Sequence, residues 1–363
     1  MEKATEINME MKKIQELISA NTDQDISQVL YKHKCFDLIL KMPESQCFEN
    51  TCITYLRNKI YVIDLYNSIL PIFASVDFPY AMIKGAVLSN TAYGNPFIRK
   101  SGDIDIIVSS QNITTISELM KDNGFIQGNI VNGNIIPATR EQKVFQRAFS
   151  HQIIPFVKKA NSLICPYICV DINTNIIWGE GEKIDMNDVL RHREAEYVNN
   201  IKLYKLELEA DFIAVCLHHY KELNSIYMIS IGSIKLSLFL DIYRYVERNF
   251  NDIVAMKIVN LAKHWNVLPY IYYCLKMTNE LFPSDIILRY LKFFETKQGE
   301  FLVNKFGLSK NEWKDWKFDL GQRLFDSQFV KKYLNALSEE EKKKIEINKR
   351  MMGIGGLYES RKD

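Results

Sequence analysis

The hydrophobic period of this chain changes twice, and those two changes restrict the fold more than any other feature of the sequence. Up to about residue 75 the apolar residues recur near every 3.6 positions, carried in the last stretch by Leu56, Ile60, Ile63, Leu70 and Phe73. From Tyr80 to about Asn175 the pattern shortens to β-rich runs separated by turns: YAMI, DIDIIV, HQIIPFV and YICVDI read as strands. NITTISELMKDNGF between them reads as a helix with an Asn start and a Gly stop, and NIVNGNII places Asn-Gly between β-branched residues, a hairpin signal. From about Met186 the helical period returns through EADFIAVCLHHYKE, GSIKLSLFLDIYRYVERN, DIVAMKIVNLAKHW, PYIYYCLKMTNELF and SDIILRYLKFFE. SEEEKKKIEINKR, with Ser338 and Glu341 as a capping box, adds a solvated helix before the tail GIGGLYESRKD. The expected class is α+β: an N-terminal helical segment over 1–75, a small α/β domain with a mixed sheet over 76–185, and a C-terminal helical domain over 186–363.

Composition excludes several function classes. Across 363 residues, 46 Lys and Arg against 44 Asp and Glu leave a net charge of +2, too balanced for a nucleic-acid or membrane surface held by bulk charge. MEKATEINMEMKKIQELISA reads as a charged amphipathic helix rather than a signal peptide, and no run of about 18 apolar residues follows. The expected location is the cytoplasm, with no membrane partner. The seven cysteines are scattered among apolar neighbours and read as reduced core residues. Cys165 and Cys169 lack a second pair of Cys or His at ligand spacing, so zinc is not expected.

Chemistry concentrates where the period shortens. In a strand, residues i and i+2 point to the same side, so DIDIIV sets Asp103 and Asp105 on one face and isoleucines on the other. Two like charges on one face need water or a cation between them. Asp171, in YICVDI, is a third carboxylate on a later strand, and hard divalent cations such as Mg²⁺ take carboxylates together with substrate phosphates. Three carboxylates on neighbouring strands could hold two such ions around an in-line phosphoryl displacement. Asp-x-Asp is also common at strand edges and turns; Lys84-Gly85 after one strand, and Arg99 and Lys100 before the next, add the positive charge that a phosphate needs.

The string KGAVLSNTAYGNPFIRKSGDIDIIV, followed downstream by VDIN, resembles the nucleotidyltransferase superfamily that includes DNA polymerase β and aminoglycoside nucleotidyltransferases. More closely, it resembles the bacterial uncharacterised nucleotidyltransferase family often found beside peptide natural-product genes. The likeness covers about residues 80 to 175 and continues more weakly through LHHY and LSLFLDIYRYV. It implies metal ligands at Asp103, Asp105 and Asp171 for Mg²⁺ or Mn²⁺, nucleotide contacts at Lys84, Gly85, Arg99, Lys100 and Ser101, and an NTP substrate. The chain departs from the pattern in having Ala86 after the turn glycine, where the superfamily has Ser or Gly, and Asn173 where the closer family often has His.

The expected reaction is metal-dependent transfer of an NMP from an NTP to an acceptor, with release of pyrophosphate. A peptide or small molecule is the expected acceptor, ahead of nucleic acid. The competing readings are a metal-dependent glycosyltransferase using a nucleotide sugar and a non-catalytic nucleotide-binding module. His151, His218 and His219 carry no assigned role, His218 and His219 being expected to divide between core and water. Asp241, among apolar neighbours, needs a partner, for which Arg244 or Lys235 is the expected source.

Overall fold

The computed structural model describes residues 2–40, 47–178, 183–198 and 201–352. It is an α+β protein. Eight strands form one mixed sheet: β1 (Tyr80–Ile83), β2 (Ile104–Val108), β3 (Ile126–Val131), β4 (Asn134–Pro137), β5 (Phe156–Lys159), β6 (Tyr167–Asn173), β7 (Arg193–Val198) and β8 (Ile201–Leu206), in the order β4-β3-β5-β6-β2-β1-β8-β7. β2 runs parallel to β6 and β1 parallel to β8; the other neighbouring pairs are antiparallel. Asn132 and Gly133 link β3 to β4 with φ of 48° and 73°, the two left-handed residues that the Asn-Gly pair predicts.

The alternation of β2 sorts its faces. Ile104, Ile106 and Val108 join Tyr80, Met82, Phe156, Val170 and Ile172 in one buried cluster with Leu65, Ile69 and Phe73 of the helix Cys47–Ala74 and Ile116 and Met120 of the helix Ile113–Asp122. Every second residue along the same strands therefore faces the other way. Asp105 and its strand neighbours Ile83 and Asp171 are those residues.

The structure changes three details of the sequence reading. HQIIPFV is not a continuous strand: Pro155, with no N–H to donate, precedes β5, and Gln152 makes only an isolated bridge to Asn173. The region after Met186 is not helical throughout: the short helix Met186–Arg191 gives way to β7 and β8, which extend the sheet before the helix Leu208–Asn224 begins. In the helix Cys47–Ala74, Leu70 and Phe73 are buried as the period predicts, but Leu56, Ile60 and Ile63 are exposed while Val62, Leu65 and Ile69 are buried; with apolar residues on more than one face, the period alone picks the buried side only in the last turns. The later helices Leu236–Asn249, Asp252–His264, Leu268–Leu281, Asp285–Phe294 and Glu339–Met352 form where the period places them; GIGGLYESRKD lies outside the described residues. The described cysteines, Cys35, Cys52, Cys165, Cys169, Cys216 and Cys274, are free thiols, and all but Cys52 are buried.

The chain divides into two compact units. One comprises Met1–Leu56, Ser89–Lys100 and Val215–Ser338; the other, which holds the eight-stranded sheet, comprises Arg57–Leu88, Ser101–Ala214 and Glu339–Asp363. Among the described residues no helix is long and apolar enough to cross a membrane.

Candidate active site

At the end of β1 the chain reverses through two successive left-handed residues, Lys84 at φ 54° and Gly85 at φ 45°, and enters the helix Gly85–Tyr93. Gly tolerates that conformation at little cost; Lys is held there against a steric penalty of about 1–2 kcal/mol. A Cβ on Gly85 would meet Ser101 Oγ at 3.1 Å and the Asp103 carbonyl oxygen at 3.6 Å, so Gly85 also permits close approach of the segment leading into β2. That segment is fixed by its own bonds: Ser101 Oγ donates to the Asp103 carbonyl at 3.1 Å, and Tyr61 Oη donates to the Gly102 carbonyl at 2.9 Å.

Strand register then gathers the carboxylates. Asp105 stands opposite Ile83 on β1 and opposite Asp171 on β6, whereas Asp103 lies in the bend just before β2 and not, as the sequence predicts, within the strand. Asp105 is 6% exposed. Its Oδ1 accepts from Lys84 Nζ at 2.7 Å and from Asn173 Nδ2 at 3.3 Å. Burial works against the Lys84 charge, but Asp105 foremost, then Asp171 and Asp103, raise its pKa above the ordinary lysine value. Asp171 is pushed up to about 8, first by burial and then by repulsion from Asp103 and Asp105, while Lys84 and a hydrogen bond from the Gln152 side chain pull the other way. Gln152 and Asn173 were not in the sequence-derived site: both are neutral amides whose use depends on which strand lies beside them.

The start of the helix Gly85–Tyr93 is also engaged. The half-buried Tyr66 offers its phenol oxygen to the backbone N–H groups of Ala86 and Val87, while loss of solvent and the nearby Asp105 raise its pKa. The first-turn donors that a phosphate could use are therefore already capped in part.

Of the expected nucleotide contacts, Lys84, Gly85 and Ser101 lie in the unit with the three aspartates; Arg99 and Lys100 belong to the other unit. There Arg99 Nε donates to Asp241 Oδ2 at 2.9 Å, Tyr93 Oη donates to Asp241 Oδ1 at 2.8 Å, and His219 Nε2 lies 3.4 Å from Oδ2. Burial opposes the Asp241 charge, but Arg99 first, then His219 and Tyr93, hold its pKa down to about 2. Asp241 thus finds its cation 142 residues away rather than at Arg244, which pairs with Asp37 at 2.8 Å. Lys100 is exposed, its Nζ 5.7 Å from the centre of the Tyr31 ring. His219 is fully buried and His218 half-buried; His151 is half-buried, its carbonyl accepting from Thr174 N at 2.7 Å.

Whether this face suits a divalent cation is a question of donor chemistry. Among the described residues no three His, Cys, Asp or Glu side chains already converge as a chelating set. The donors nevertheless fit a hard ion: Asp105 and Asp171 are register partners on adjacent strands, Asp103 in the bend before β2 is near enough to act on Asp171 and Lys84, and an ammonium already stands against Asp105 in the place of a cation. No curated protein and no solved structure matches the chain. A family model described as uncharacterised nucleotidyltransferase matches residues 10–283, which include every residue of the carboxylate face and of the Arg99–Asp241 cluster. The match extends over most of the chain, and the protein belongs to the uncharacterised nucleotidyltransferase family.

Proposed function

We propose that the chain is a metal-dependent nucleotidyltransferase with a polymerase-β-like site, moving an NMP from an NTP to an acceptor and releasing pyrophosphate. One observation carries the reading beyond the family: Asp105 and Asp171 are register partners on parallel strands, with Lys84 paired to Asp105. Asp103, Asp105 and Asp171 would hold Mg²⁺ or Mn²⁺. When bound, the ion neutralises phosphate charge and lowers the proton affinity of the acceptor hydroxyl.

The protein's residues divide the remaining work. Phosphoryl transfer asks for positioning and charge compensation more than covalent help. Lys84 offers an ammonium to a phosphate oxygen, and Gly85 lets the segment Ser101–Asp103 approach the turn closely. Asp171, whose proton affinity is raised by burial and by Asp103 and Asp105, is suited to receive the hydroxyl proton as the acceptor oxygen attacks the α-phosphorus. Arg99 serves the fold through Asp241, a use that leaves its Nε committed. The near-neutral net charge of +2 favours a peptide or small-molecule acceptor over nucleic acid.

The test is isotopic. The protein is incubated with Mg²⁺, candidate hydroxyl acceptors and each of ATP, GTP, CTP and UTP labelled at the α or γ phosphorus. Label from the α position should enter the acceptor in step with pyrophosphate release, and Asp105→Asn should abolish it. Transfer of γ label would show a kinase. A sugar adduct formed from a nucleotide sugar would show a glycosyltransferase.

A further inference from the structure

The pairing of Lys84 with Asp105 bears on when a cation can enter the site, a question that rests on the nucleotidyltransferase reading and deepens it. The two side chains are only 13% and 8% exposed, and Nζ lies 2.7 Å from Oδ1. Asp171 and Asp103 act on the same ammonium, so Lys84 is the counter-ion of the whole carboxylate face and not of one residue. A divalent cation approaching Asp105 meets a positive charge already in place. Displacing that charge without replacement would leave a half-buried ammonium unpaired, which is costly. A triphosphate changes the balance, because its oxygens are the partner that a compact lysine charge takes readily. Lys84 is also placed for such an exchange: it stands directly after β1, whose register to Asp105 is set by the pairing of Ile83, so its flexible stem can swing while the strand stays fixed. Asn173, donating to the same Oδ1, keeps the carboxylate oriented as the ammonium leaves.

We propose that Lys84 is an exchangeable counter-ion that holds Asp105 until a nucleoside triphosphate draws its ammonium away, so that the divalent cation and the nucleotide enter together. Metal alone is then a poor ligand, and nucleotide and metal are positively coupled through one side chain.

Mn²⁺ binding, read from the paramagnetic resonance of free Mn²⁺, tests this without turnover. It is measured for the wild type, Lys84→Met, Lys84→Arg and Asp105→Asn, each with and without the α,β-methylene analogues of ATP and GTP. Without nucleotide, Lys84→Met should bind Mn²⁺ at least about tenfold more tightly than the wild type, since an obstructing charge is gone. Lys84→Arg should stay weak, and the analogue should tighten Mn²⁺ binding to the wild type by a larger factor than to Lys84→Met. Should Lys84→Met not fold, Nζ-acetyl-lysine incorporated at position 84 removes the charge, keeps the stem and gives the same comparison. Equal or weaker Mn²⁺ binding by the charge-free variant overturns the exchange while leaving the aspartate site standing. Absence of Mn²⁺ binding in every protein, with nucleotide or without, or binding unchanged by Asp105→Asn, overturns the site itself and this inference with it.

Discussion

Replacing Asp171 by Asn removes one carboxylate from a crowded face and should reverse part of the protein's pH dependence. In the folded chain Asp171 binds its proton up to about pH 8, whereas its ordinary value is 3.8. Between those pH values the folded state holds a proton that the unfolded state has lost, so stability falls as pH rises from about 4 to about 8 and levels off above. At about 1.4 kcal/mol per pH unit the whole displacement would amount to roughly 6 kcal/mol. Asp171 is half-buried, Lys84 can follow the charge, and Asp103 and Asp105 share the same field, so about a third of that, roughly 2 kcal/mol, is the expected loss. Asn keeps the shape and carries no charge, so its stability should lack this fall. Urea unfolding of the wild type and Asp171→Asn at pH 5, 7 and 9 in EDTA measures the difference, and other titrating groups cancel in the comparison. The variant should gain on the wild type between pH 5 and pH 9, by up to about 2 kcal/mol. Mg²⁺ with nucleotide at pH 9 should stabilise the wild type more than the variant. Parallel stability curves would show that Asp171 does not feel its neighbours and would remove the electrostatic basis of the site.

Two further perturbations test the surrounding framework. Asp241→Ala leaves Arg99 without its buried partner and should cost about 3–5 kcal/mol in urea unfolding at pH 7, a loss under 1 kcal/mol arguing against the pairing. Because Asp241 is held down to about 2, its contribution in the wild type is complete above its ordinary value near 4 and disappears as pH falls through about 2. Gly85→Ala places a side chain at φ 45° and 3.1 Å from Ser101 Oγ, and should cost about 1–2 kcal/mol; adding Ser101→Ala should recover the part due to contact and none of the part due to backbone conformation.

Where local chemistry decides the outcome, the sequence was readable. Asn132-Gly133 adopts the two left-handed conformations that few other residue pairs accept, and the helices from Leu236 to Phe294 follow a period no strand could satisfy. Where partners decide, it was not. β7 and β8, REAEYV and IKLYKL, carry charges at positions that pair across strands, including Lys205 with Glu194 and Glu196, so their alternation is not one of apolar against polar. The helix Arg140–Phe149 was missed although Thr139 and Gln142 form its capping box and Val144, Phe145, Ala148 and Phe149 recur at helical spacing.

The site divides along the same line. The spacing of Asp103 and Asp105 predicts one shared face, but the strand starts at Ile104 and leaves Asp103 in the bend before it, so the pleat's fixed period reaches only Asp105. That Asp171 stands directly across from Asp105 needs the register of β2 on β6, which two strands set between them. The fates of the two basic residues depend on still longer contacts: Arg99 ends on Asp241 and Lys84 on Asp105, although both precede or follow a strand and carry the same charge. What separates them is the company of the partner. Asp241 is fully buried, so its arginine cannot leave without stranding a charge, and the pair acts as structure. Asp105 is buried too, but further carboxylates act on its lysine, so on the proposed reading the carboxylate face would not be left without a counter-ion when a cation and a phosphate arrive together, and it is Lys84 that could exchange.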